Sequence, residues 1–264
     1  MGMKGTSPGK AKEKRHTSKA VQSLERGVEI IRAFRAGYDL LGNSELAERT
    51  GLSRSTVSRL TQTLCLAGVL EHDRHRRAYR LGAPVLSFAH AMRSSHPVFK
   101  LATPLMRMVS EQHQINVGVA TADRDEMVYL ESIRYNVKST LRSIVSGQRV
   151  PMELTSLGHA YLSATSDVER KSFFKRYELG QPGGEERKTE IERSMESVWE
   201  KGYCAVSWQP GIVALATPVV MDDHPVYVLN ISLATKTSKD EVGEALSPVL
   251  LELKKVIVES MKQD

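Results

Sequence analysis

Arg54, Ser55, Thr56, Ser58 and Arg59 stand close together in the segment GLSRSTVSRLTQTL, and theirs is the chemistry of groove readers. Arginine presents a fork of donors that matches the acceptors on a guanine edge, while serine and threonine hydroxyls reach phosphates or bases. With Thr61 they make the polar, cationic side of a helix whose other side carries Leu52, Val57, Leu60 and Leu64 at helical spacing. A second cationic group, Arg74, His75, Arg76 and Arg77, sits in EHDRHRRAYRL, Glu71 to Leu81, which reads as two short strands around a charged tip. Cations there would lie along an adjacent groove, displacing condensed counterions and adding affinity that falls steeply with salt. His72 and His75 have no cysteine or carboxylate partners at ligand spacing, so a solvated turn is expected and no metal.

These side chains need two helices crossing at a tight turn, and Asn43 to Leu64 supplies them. Leu46 and Ala47 fall on the inner face of the first helix, and Gly51 takes the turn position where a positive φ costs nothing. Ser44 and Ser53 each precede a helical run, where a hydroxyl accepts from the unpaired N–H groups of a first turn. The segment therefore reads as a helix-turn-helix with a wing behind it, and Ser53 joins the residues set to meet double-stranded DNA. Charge agrees with this. Residues 1–93 hold 17 Lys and Arg against 8 Asp and Glu, a net +9, while residues 94–264 hold 20 against 23, a net −3. A basic front third on a slightly acidic remainder points to a nucleic-acid-binding head joined to a different module.

A chain of 264 residues with 41% hydrophobic content can bury more than one core, and four stretches are expected. Residues 1–19 read as a disordered basic tail, 20–82 as the winged helix-turn-helix and 83–97 as a linker helix, Val85 to Arg93 at its centre, that also pairs protomers. Residues 98–264 read as an α+β domain. Within it, helices are expected at Val98 to His113, Leu157 to Ser163, Asp167 to Tyr177, Lys188 to Lys201 and Lys239 to Met261. Strands are expected at Ile115 to Ala120, Glu126 to Ser132, Ser139 to Val145, Gly211 to Val220 and Val226 to Leu233. Cys65 and Cys204 are isolated, no export signal is visible and no apolar run approaches the roughly 18 residues that span a bilayer, so a cytoplasmic protein without membrane contact is expected.

Two features of the second half could hold a small molecule. Thr155 and Ser156 can cap a helix beginning near Leu157, and Gly158 and His159 lie in its first turn. Free N–H groups and the positive helix end then favour an anion such as a carboxylate, with Gly158 letting the backbone come close; a capped helix that binds nothing reads equally well. Asn230 and Ser232, two apart in a strand, share a face and can aim an amide and a hydroxyl at one ligand, or satisfy local backbone groups. Catalysis finds little support. There is no glycine-rich phosphate loop, no nucleophile elbow and no cofactor motif, and Cys204 reads as a small buried thiol.

From about Lys19 to Gln263 the chain resembles the IclR-type transcriptional regulators, whose members join an amino-terminal winged helix to a GAF-like effector-binding domain. GLSRSTVSRLTQTL with YRLG at Tyr79 to Gly82, GQRVPMELTSLGHAYLSA from Gly147 to Ala164, KGYCAV from Lys201 and PGIVALATPV from Pro210 to Val219 carry the resemblance. It implies operator binding modulated by a small organic acid, and a homodimer or dimer of dimers. Members of the family often place an acidic residue after the glycine-aromatic pair and a cysteine in the next strand. Here that loop is short and Ala214 stands at the cysteine position. Fewer polar anchors and the nearby Trp208 point to a more apolar or aromatic effector, although Trp208 suits core packing better. The competing expectation is an architectural DNA-binding protein with no small-molecule ligand.

Overall fold

The computed structural model describes residues 21–96, 98–135, 145–178, 183–222 and 224–262. The expected tail at 1–19 and most of the strand expected at Ser139 to Val145 lie outside them. The chain divides into two compact units between Phe88 and Ala89, inside the helix expected as a linker.

In the first unit, α1 (Gln22–Arg32), α2 (Asn43–Thr50) and α3 (Arg54–Leu66) pack around Ile30, Phe34, Leu41, Leu46, Val57 and Leu70. Apolar residues at helical spacing reach this core from all three helices. Behind them, β1 (Leu41–Gly42), β2 (Leu70–Asp73) and β3 (Ala78–Leu81) form a small antiparallel sheet in the order β1-β3-β2. The wing is thus β2 and β3. One cap lies earlier than the serine pattern implies. Gly42 is the N-cap of α2, and its N–H donates to the Glu45 carboxylate at 2.8 Å, so Ser44 falls inside the helix. Helix α4 (Ala83–Ser95) follows, starting earlier and ending later than the expected core of the linker.

The second unit is a six-stranded antiparallel sheet between two helical layers. Its strands are β4 (Asn116–Asp123), β5 (Glu126–Ile133), β6 (Arg149–Pro151), β7 (Cys204–Val206), β8 (Ile212–Val219) and β9 (Tyr227–Ala234), in the order β6-β5-β4-β9-β8-β7. Alternation along the strands feeds two cores. Val117, Val119, Leu215, Leu229 and Ile231 pack against α5 (Thr103–His113), the π-helical turn Val98–Ala102 before it, and α9 (Lys239–Lys262). Ala120, Tyr129, Cys204, Ala216 and Val228 pack on the other side against α6 (Ser156–Ala164), α7 (Asp167–Glu178) and α8 (Gly184–Lys201). The edge strands β6 and β7, three residues each, are absent from the sequence expectation.

Candidate nucleic-acid interface and effector site

Local chemistry fixes the presentation of α3. Gly51 adopts φ 67°, the left-handed turn conformation, and Ser53 accepts from the Thr56 N–H at 3.3 Å to start the helix. Ser53, Arg54, Ser55, Ser58 and Arg59 are then exposed together, Thr56 is half-buried, and Gln62 joins the exposed face one turn on. Thr61 departs from the expectation: it is fully buried and its hydroxyl donates to the Val57 carbonyl at 2.9 Å, an inward bond that removes it from the reading face. Among the described residues, no carboxylate pairs with the Arg54 or Arg59 guanidinium.

The wing tip is equally well held. The Asp73 carboxylate accepts from the backbone N–H groups of His75 and Arg76, each at 3.0 Å, and the Arg76 bond leads in lowering its pKa. Arg77 closes the turn at φ 50°. Arg74, Arg76 and Arg77 are all exposed, while Arg80 is tied to Glu71 across the strands at 2.9 Å and His72 stacks near the Tyr79 ring.

In the second unit the predicted residues come to one region of the sheet face that turns toward α6. Register aligns Gly118 with Asn230, Ala216 and Cys204, and the next row aligns Asn116 with Ser232, Ala214 and Val206. The Cys204 thiol lies 3.5 Å from the Ser156 carbonyl, so α6 begins over the first row and the second extends beyond its start. Burial pushes that thiol up to about 12, which keeps it protonated. Trp208 is half-buried in the β7–β8 turn, apart from both cores. Tyr129, unremarked in the sequence, reaches Asn230 on this face, the Asn230 amide N–H donating to its hydroxyl at 3.4 Å. No local sequence signal marks it, because the meeting depends on the pairing of β4 with both β5 and β9.

The start of α6 is capped as its threonine requires. Thr155 accepts from the Gly158 N–H at 3.3 Å and donates to the Pro151 carbonyl at 2.9 Å. Ser156 and Leu157 are buried, and their N–H groups find no acceptor among the described residues. Two of the residues expected here do something else. A Cβ on Gly158 would sit 2.0 Å from the Met152 carbonyl oxygen, so this glycine admits the chain's own backbone rather than a ligand. His159 is 1% exposed; its Nε2 donates to the Glu153 carbonyl at 3.1 Å, and its Nδ1 accepts from the Ser194 hydroxyl at 2.9 Å. Both ring nitrogens are spent on tying α6 to the preceding loop and to α8, and desolvation holds the imidazole below its ordinary pKa.

A winged helix-turn-helix on an α/β/α unit with a polar patch in its inner face defines a DNA-binding transcriptional regulator. Comparison with known proteins agrees along most of the chain. The IclR helix-turn-helix domain model matches residues 23–74, and the model for the bacterial transcriptional regulator IclR C-terminal domain matches residues 90–256. The chain belongs to the IclR family of transcriptional regulators. It is 35% identical to the HTH-type transcriptional regulator TsaQ1/TsaQ2 of Comamonas testosteroni over 69% of this chain and 66% of that protein. The Pca regulon regulatory protein of Pseudomonas putida is 26% identical, over 87% of this chain and 80% of that one. The crystal structure of an IclR family transcriptional regulator from Brucella abortus superposes with a TM-score of 0.84 at 28% identity, covering 95% of this chain and 96% of that one.

Proposed function

We propose that this regulator reads its operator with α3, steadies itself with the wing, and changes its operator affinity when a small organic acid occupies the second unit. The observation that carries the DNA reading is the exposed face of Ser53, Arg54, Ser55, Ser58 and Arg59, presented by a capped helix with two guanidinium groups free of carboxylate partners among the described residues. Arg54 and Arg59 read base edges; Arg74, Arg76 and Arg77 hold phosphates. It works in the cytoplasm, beside the chromosome. Selecting an operator from the protein's bound fragments of its own genome, then titrating it at fixed salt, tests this.

The effector site is the sheet face beyond the start of α6. The Ser156 and Leu157 N–H groups and the helix dipole receive a carboxylate, while Ser232, Ala214 and Val206 form the floor and Trp208 the far end. The aromatic and apolar lining suits an aromatic acid. A thermal-shift screen of organic acids on the full chain, followed by operator titration with each hit, tests it; DNA binding indifferent to every acid would favour the architectural reading.

Two copies are needed for specificity, because one recognition helix covers too few base pairs. Leu86, Phe88 and Met92 are exposed on α4, none of whose residues is buried, and Val21, Leu24 and Val28 are exposed at α1. These faces pair protomers into a dimer, and dimers pair into tetramers. Sedimentation of a monomer with full operator affinity would refute this.

A further inference from the structure

At the open edge of the second unit's sheet, α8, β7 and α9 line a cavity of about 600 Å3. Register decides what the edge strand offers it. The Thr235 N–H donates to the Gly211 carbonyl at 2.8 Å, one step beyond the paired Ile212 and Ala234, so the odd-numbered residues of β8 bond to β9 and the even-numbered ones to β7. Ala214 and Ala216 therefore occupy the backbone groups of their partners Val206 and Cys204. Ala205, between them, lines the cavity and turns its N–H and C=O outward, where neither finds a partner among the described residues. The preceding outward carbonyl, that of Tyr203, is closed by the Ser197 hydroxyl at 2.9 Å. One residue's worth of donor and acceptor is left open, too little to hold a strand and enough for a single residue.

Charges of both signs surround this pair. Arg193 and Lys201 of α8 and Lys239 of α9 bring three cations. Glu186, Glu190, Asp240 and Glu244 bring four carboxylates, and none of these charged groups forms an ion pair among the described residues. A simple anion or cation meets like charge somewhere in such a lining, whereas a zwitterion can set each of its charges beside opposite ones. Both requirements meet in a free α-amino acid. Its ammonium and carboxylate are spaced like the N–H and C=O of one residue, so they can face Ala205 as a directly opposite residue does in an antiparallel ladder. Opposite residues send their side chains to the same face, and Ala205 packs on the core beneath α9. The L enantiomer accordingly points its side chain toward α9.

We propose that the edge of β7 binds one free L-α-amino acid, its ammonium donating to the Ala205 carbonyl and its carboxylate accepting from the Ala205 N–H. This site lies at the sheet's edge, apart from the face assigned to the organic acid, and does not depend on that reading.

The test titrates glycine and the L-amino acids into the full chain by calorimetry, then repeats each hit as its N-acetyl derivative, its methyl ester and, where it is chiral, its D enantiomer. Two variants accompany the native chain, with thermal unfolding in the absence of amino acid to verify folding. Ala205→Pro removes the N–H on the outward side of an edge strand, where proline is tolerated. Arg193→Gln, Lys201→Gln and Lys239→Gln combined remove the exposed cations. Expected is binding of at least one amino acid, at least about tenfold weaker for each derivative and in each folded variant, because each change removes a charge, a hydrogen bond or the side chain's path to α9. An organic acid bound to the sheet face should keep its native affinity in both variants. If no amino acid binds the native chain, the proposal is wrong. It is equally wrong if the N-acetyl derivative binds as tightly as the free amino acid, or if either folded variant binds as the native chain does; should Ala205→Pro fail to fold, the combined variant decides.

Discussion

Replacing Gly158 by alanine distinguishes a packing glycine from a ligand-approach glycine. The added methyl would meet the Met152 backbone at 2.0 Å from its oxygen and 2.5 Å from its carbonyl and α carbons. None of these atoms is the far end of a flexible side chain, so relief requires moving the turn that joins β6 to α6 by more than about 1 Å. That turn is also held by the Thr155 bonds to Pro151 and Gly158. Overpacking a close-packed site costs about 1 to 3 kcal/mol, and a backbone obstacle places this case at the upper end, about 3 kcal/mol. With a urea dependence of about 2 kcal/mol per M, the unfolding midpoint should drop by about 1.5 M. Tryptophan fluorescence reads the relevant unit alone, because both tryptophans, Trp199 and Trp208, lie in it, and the Trp199 indole N–H donates to Ser163 of α6 at 3.0 Å. Gly184→Ala is the control, since a Cβ there meets nothing within 4 Å. If Gly158→Ala unfolds at the native midpoint, the close approach is not what the glycine serves, and an intact fold with weakened acid binding would return it to the effector site.

Arg59→Ala should weaken specific operator binding by about 1 to 3 kcal/mol if the guanidinium meets a base edge, whereas Arg76→Ala should lower the slope of log affinity against log salt by about 1 across all sequences. Filter-binding titrations over a salt series separate the two, and identical effects from both would refute the division of labour. Thr155→Ala removes the cap and the Pro151 bond together and should cost about 1 kcal/mol or somewhat more in the fluorescence-detected transition; no change would mean that the cap is redundant. His159 is held neutral by burial, so the unfolded chain takes up a proton more readily than the folded one. Stability of this unit should therefore fall as pH drops through the ordinary histidine range near 6.5, and His159→Gln should lessen the decline. Urea midpoints at pH 7.5 and 5.5 with equal sensitivity in both proteins would count against it.

The first unit was legible because its signals are local. Gly51 and Ser53 act within a few residues of themselves, and Val57, Leu60 and Leu64 repeat at the helical period. Even so, α1 lacks a side-chain cap to mark its start although Leu24, Val28 and Ile31 follow that period, and β1 is only two residues long, too short for alternation to register. In the second unit, β4, β5, β8 and β9 announced themselves by apolar runs, while β6 and β7 carry three residues each and depend on neighbours supplied by distant chain. Asn230 and Ser232 could be assigned to one face from spacing. That Tyr129 meets Asn230 over Gly118 could not, because it depends on the pairing of β4 with both β5 and β9. The close approach at Gly158 is hidden from the sequence for the same reason: Met152 is near in the chain, but only the turn brings its backbone against the helix.

The brevity of the sheet's two margins sets a rule for how copies of this chain can meet. At one margin β6 ends in Pro151, which has no N–H to offer and whose carbonyl is already engaged by Thr155. At the other, the carbonyl of Tyr203 just before β7 is engaged by the Ser197 hydroxyl at 2.9 Å. Among the described residues, a strand sliding alongside β6 or β7 would find few vacant backbone groups over a span of only three residues, so ladder extension there has little to grip. If copies of this chain pair as proposed, helical surfaces are the better-suited contacts.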